Sequence, residues 1–166
     1  FSSSLSRPRE TAQIILKEHP GVEISLKNDL KEISHGKWEG KLESEILADW
    51  PDLLKTWKNH PEKVQMPEGE NIDIVSTRSI NGWIEICQDL KDDETALVVA
   101  HDAVNKTILC NLLGLTTSEI WMIKQGNGGI TVVDLSDKKD QPAQITCLNI
   151  TSHLGGIIDL TAAGAL

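Results

Sequence analysis

The chain has 166 residues, 39% of them hydrophobic and 25% charged, and carries a formal charge of −9. These values fit one soluble globular domain with a sizeable core, and disorder is not the default. The acidic surplus and the lack of any basic run argue against a nucleic-acid surface, and no stretch approaches the ~18 apolar residues of a membrane span.

The chain opens on Phe1-Ser2-Ser3-Ser4, with no methionine, leader or obvious first strand, and reads as part of a longer gene product. Ser4 through Lys17 is a predicted helix: serines supply caps, Pro8 is tolerated in the first turn, and Ala12, Ile15 and Leu16 share a face. Val22, Ile24 and Leu26 alternate with polar residues as a half-buried strand near a sheet edge. A polar loop from Lys27 to Gly40 precedes two short helices, Leu42 to Trp50 and Pro51 to Trp57, which form a compact subdomain or lid packed by Trp38, Trp50 and Trp57. After a turn at Met66 to Glu70 comes the longest helix, Asn71 to about Leu90, with Ile72, Val75, Ser79, Trp83, Ile86 and Leu90 on one face.

Ala96 to Ala100 is an unbroken run of small and branched apolar residues, which predicts a strand buried on both faces. His101 ends it, and a helix follows from Ala103 to a stop at Gly114. Thr116 to Glu119 carries a capping signature into a short helix around Ile120 and Trp121. Gly129 to Leu135 and Gln144 to Ile150 both alternate and make a hairpin or two neighbouring strands across Ser136 to Gln141. The tail beyond Ser152 is expected to be mobile. Cys87, Cys110 and Cys147 lack CxxC or metal-ligand spacing and read as small core hydrophobes in a reducing compartment, with the cytoplasm as default location. The alternation of strands and helices predicts an α/β fold of three layers, α/β/α, with a mostly parallel central sheet and a more antiparallel edge, spanning residues 1–152 as one domain with 153–166 as its tail.

Three local patterns carry chemistry. Arg7 lies at a helix start, where its planar fork of donors suits a phosphoryl group. Glu32 sits in a glycine-punctuated loop beside an indole, where partial desolvation raises a carboxyl pKa and equips it to donate a proton. His101 stands where a strand's carboxyl end meets a helix N-terminus, the place in α/β sheets that favours anions. It either acts on phosphate there or caps the following helix.

In this order the segments resemble the histidine phosphatase superfamily, which includes cofactor-dependent phosphoglycerate mutase. The resemblance runs from Ser3 to about Leu154. It rests on S-x-L-x-R-x-x-x-T-A (Ser3 to Ala12), L-x-E-x-x-x-G-x-W-E-G (Leu30 to Gly40), P-x-G-E (Pro67 to Glu70), V-V-x-H (Val98 to His101), Gly114-Leu115 and Asn127 to Val132. His101 to Lys106 and Asn149 to Leu154 look most like two-domain cyanobacterial members related to chloroplast carboxyarabinitol-phosphate phosphatases.

The resemblance implies hydrolysis of a small phosphorylated metabolite through a phosphohistidine, with no metal or organic cofactor. It gives His101, Glu32 and Arg7 as catalytic residues, and Arg7, Asp102 and Asn105 as substrate-binding ones. Asp102 rivals Glu32 as proton donor, because an aspartate directly after the second histidine has that role in the acid phosphatase branch. The family's nucleophile lies in an R-H-G motif on a first strand beside Val98-Val99; this sequence has no R-H-G, so the isolated chain is expected to lack that strand, to be inactive and to fold poorly unless another chain supplies it. Mutase-type phosphoryl transfer and a non-catalytic binding or oligomerisation module stay open as alternatives. Few basic residues beyond Arg7 and Arg9 favour hydrolysis over transfer.

Overall fold

A computed structural model describes residues 1–135 and 142–155. They divide into two compact units, 1–120 and the described residues from 121 onward. In the first, β1 (Ser2–Ser3) runs straight into α1 (Ser6–Leu16), whose Pro8 falls in the first turn, where a missing N–H costs no intrahelical bond. β1 pairs in parallel with β2 (Leu26–Lys27) on one side and bridges Val99 in parallel on the other. Helices α2 (Glu43–Asp49) and α3 (Pro51–Asn59) pack on each other, α3 starting on a proline whose fixed φ suits a helix's first position. Trp38 and Trp57 are buried as expected, at 1% and 2% exposure, whereas Trp50 is only half-buried.

α4 (Ile72–Asp89) begins at Asn71, whose side-chain oxygen accepts the Ile74 N–H at 2.9 Å. Its buried face is Ile72, Val75, Ser79, Gly82 and Ile86, the three- and four-residue steps of the apolar pattern. This face packs on α5 (Asp102–Leu112). At the contact the Ser79 and Thr107 hydroxyls, both fully buried, satisfy each other at 2.8 Å. α5 stops at Gly114, whose φ of +69° is the left-handed geometry that ends helices.

Two strands differ from expectation. Ala96 to Ala100 is not buried on both faces: Leu97 is 51% exposed, and among the described residues the segment pairs along the side facing β1 alone. There Ser3 N–H donates to Val99 O at 3.0 Å and Val99 N–H to Phe1 O at 3.0 Å. Among the described residues no backbone group pairs with Val98 along the opposite side, and a strand covered on one edge only stays half open to solvent. The Val22 to Leu26 strand contracts to Leu26–Lys27, with Val22 59% and Leu26 48% exposed and Ile24 only half-buried, so the alternating side chains gain little cover.

The second unit holds an antiparallel pair, β3 (Ile130–Asp134) and β4 (Gln144–Ile150), in a register with an irregularity near Val132. Cys110 is buried, Cys87 half-buried and Cys147 exposed, so Cys147 is no core residue: it lies on a strand whose outer positions face solvent. The Ser136 to Gln141 connection and the tail from residue 156 onward lie outside the described residues. Among the described residues no helix is long and apolar enough to cross a membrane.

Candidate active site

The site is assembled at the N-terminus of α5, within the first unit. His101 is the residue at which the chain turns from extended backbone (φ −130°, ψ 169°) into that helix, and its carbonyl accepts the Asn105 N–H at 2.9 Å. Its ring does not cap the helix. Instead Nε2 meets Ser3 Oγ at 3.0 Å, and the residue is only 5% exposed. The pairing of Val99 with β1 sets this contact, because it puts Ser3 beside the strand end that carries His101. Burial, then the positive charges of Arg7 and Arg78, lower the His101 pKa to about 4, so the imidazole is neutral at physiological pH.

Glu32 reaches the same place from the loop after β2. Its Oε1 accepts the N–H of its neighbour Ile33 at 3.0 Å, and its carboxyl lies near enough to the first turn of α5 for the Ala103 N–H to favour its ionised form. Burial raises its pKa above the ordinary glutamate value, and the Asp102 charge pushes the same way, against the smaller pull of those two N–H groups and Arg7. The expected desolvation is present, and the carboxyl that acts at the start of α5 is that of Glu32, since the His101 side chain makes no cap there.

Arg7, in the first turn of α1, is exposed, and its charge acts on both His101 and Glu32. Its guanidinium makes no hydrogen bond among the described residues, which leaves the fork open to an incoming anion. Asp102 is engaged differently: its Oδ2 accepts Lys106 Nζ at 2.7 Å, one helical turn on, and Lys106 is only 8% exposed. Asn105 stands half-exposed on the next turn.

Arg7, Glu32, His101 and Asp102 therefore act on one another around one helix N-terminus. Ser3 and Arg78 also belong there, and the sequence patterns did not single out either. Ser3 was legible only as a motif letter; it is 98 positions from the histidine it touches. For Arg78 the one sequence signal is a cation beside Ser79 on a helix face otherwise apolar. His153, in the second unit, has its Nε2 3.1 Å from Gly128 O. Among the described residues no group of three or more His, Cys, Asp or Glu side chains could hold a metal ion.

An α/β fold with paired ionisable groups at the junction of strand and helix defines a broad class of phosphate-handling enzymes. Comparison with known proteins narrows it. The profile of the histidine phosphatase superfamily (branch 1) matches residues 1–149, and the chain belongs to that superfamily. Phosphoserine phosphatase 1 of Hydrogenobacter thermophilus is 30% identical over 155 residues, 93% of this chain and 71% of that protein. A probable 2-carboxy-D-arabinitol-1-phosphatase of Arabidopsis thaliana is 29% identical over 149 residues, 90% of this chain but 30% of that longer protein. Among solved structures, YhfR of Bacillus stearothermophilus superposes with a TM-score of 0.84 at 23% identity, over 92% of this chain and 74% of that one. The fold is thus that of the histidine phosphatases, as the motif blocks imply, and the two phosphatases among these relatives are enzymes.

Proposed function

We propose that this chain carries most of the active site of a phosphomonoesterase, which in the full-length protein hydrolyses a small phosphorylated metabolite through a phosphohistidine. The observation that carries the proposal is the meeting of Arg7, His101 and Glu32 at the N-terminus of α5. Phosphoryl transfer needs chiefly positioning and donors for the equatorial oxygens. Arg7 offers two of them a planar fork that makes no hydrogen bond among the described residues. The helix N-terminus adds its dipole, and His101 adds a ring nitrogen already oriented by Ser3. Glu32, whose pKa is raised by burial, gives its proton to the leaving oxygen as the P–O bond breaks. Water then attacks the phosphorylated histidine and releases phosphate, with the Glu32 carboxylate as base.

The attacking histidine is assigned to an R-H-G segment of the full-length protein, since no R-H-G occurs in these residues. The relatives' phosphatase activities support hydrolysis, and the unpaired cysteine thiols agree with a cytoplasmic setting. Neither relative's substrate is carried over.

The test is to incubate the full-length protein with a ³²P-labelled phosphomonoester, quench in alkali and look for acid-labile phosphohistidine. Label that accumulates and then turns over to inorganic phosphate is the expected result. If the full-length protein takes up no label and frees no phosphate, what stands is a non-catalytic anion-binding module.

A further inference from the structure

The Arg78 side chain is 18% exposed and lies in the middle of α4. Arginine has five N–H donors in a rigid fork, and each one here has a partner. Nε donates to Glu70 Oε1 at 2.9 Å and Nη2 to Glu70 Oε2 at 2.9 Å, a bidentate pair. Nη1 donates to the carbonyls of Asp29 (2.9 Å) and Lys31 (2.5 Å), and Nη2 also to that of Glu32 (3.2 Å). A guanidinium so saturated has no donor left for a substrate, although its charge reaches His101. What it grips is the backbone of the loop that ends in Glu32.

Glu70 extends the grip. Its Oε2 also accepts the Ser34 N–H at 3.0 Å, and its own N–H donates to Ser34 O at 2.8 Å, so the loop is held on both sides of Glu32. The next residue along α4, Ser79, is hydrogen-bonded to Thr107 on α5. One turn further, Gly82 lets the Asp29 side chain approach so closely that a Cβ there would stand 3.0 Å from it. Adjacent residues of α4 therefore tie down the Glu32 loop and the helix whose N-terminus that carboxyl meets.

We infer that Arg78, with Glu70, is a positioning device: α4 acts as a ruler that holds the Glu32 carboxyl against the first turn of α5. Its catalytic meaning rests on the proposed role of Glu32 as proton donor, but the device itself is read without turnover. The charged groups acting on Glu32 are Asp102 from α5 and Arg7 from α1; Arg78 is not among them. Arg78→Lys keeps the charge and removes the fork, because one ammonium cannot span Glu70 and three carbonyls.

The test follows the Ala103 amide of the ¹⁵N-labelled chain through a pH titration. In the parent, its shift reports Glu32 ionisation with a midpoint above the ordinary 4.5, and Glu32→Gln abolishes that transition. In Arg78→Lys the midpoint is expected to fall towards 4.5 and the Ala103 amplitude to shrink as the carboxyl leaves the helix. Glu70→Gln is expected to move both the same way by less, and it serves alone should the lysine variant not fold. Unchanged midpoint and amplitude in folded variants overturn the inference even if both melt earlier, since a merely structural tie would alter stability alone. If full-length Glu32→Gln keeps its turnover while Arg78→Lys shifts the Ala103 titration, the proton-donor role fails and the clamp stands.

Discussion

Two carboxyls stand at the start of α5, and their surroundings separate them. Asp102 faces the Lys106 ammonium at 2.7 Å, whereas Glu32 is half-buried, accepts the Ile33 N–H and has its pKa raised. A raised pKa suits a carboxyl to act as a general acid, so the proposed mechanism gives that task to Glu32. In the full-length enzyme Glu32→Gln is expected to lower kcat by about 10²- to 10⁴-fold with little change in KM, and Asp102→Asn to lower it far less. Steady-state kinetics on the two variants checks this, and the reverse order moves the donor to Asp102. Arg7→Lys loses the planar fork, and kcat/KM for a phosphomonoester is expected to fall by roughly 10- to 100-fold. Arg7, Glu32, His101 and Asp102 were legible because each sits in a short block whose residue types suit phosphate chemistry. Ser3 and Arg78 were not, because what distinguishes them is a partner 98 or 46 positions away.

At the scale of elements, the Glu32 loop and the turn at Met66 to Glu70 interlock through two glycines. Lys37 N–H donates to Pro67 O at 2.8 Å across the contact, and Gly36 adopts a φ of +55°. A Cβ on Gly36 would clash with Pro67 O and stand 2.6 Å from the Glu68 carbonyl carbon; one on Gly69 would stand 2.8 Å from Gly36 N. Gly36→Ala and Gly69→Ala should each cost about 2 kcal/mol or more by urea unfolding, because backbone and not a flexible side chain must give way. Asn71→Ala removes the α4 cap and should cost about 1 kcal/mol in the same assay. Hydrogen exchange checks the half-open strand: Val99 N–H, bonded to Phe1 O, should exchange more slowly than Val98 N–H, and equal protection would mean that the second edge is covered. The helices were read to within a residue or two of their ends, since periodicity, Pro51, Asn71 and Gly114 are local signals. The strands at Val22 to Leu26 and Ala96 to Ala100 were over-read, since a strand depends on what lies beside it.

For the molecule as a whole, stability should vary with pH in a way the site dictates. The His101 pKa is lowered from 6.5 to about 4, so between those values the unfolded chain takes up a proton that the folded one refuses. That contribution is complete above pH 6.5 and is lost as pH falls towards 4, a change of about 3 kcal/mol. His35, also lowered by burial, acts in the same direction, and Glu70, lowered by Arg78, adds a loss below 4.5. Glu32 opposes them: its raised pKa favours the folded state in acid, and that contribution fades as pH rises through the raised value. Chemical unfolding at a series of pH values should thus show a falling acid limb, flatter in His101→Asn and steeper in Glu32→Gln. The amino-acid sequence by itself determined the order and type of the helices, the family blocks and most of the candidate residues, because these are written in spacings of a few positions. Only the tertiary structure decided that β1 carries Ser3 to His101, that α4 clamps the Glu32 loop and that Glu32 instead of His101 meets the α5 N-terminus. Such contacts depend on parallel pairing and helix packing between segments tens of residues apart, and no local pattern encodes them.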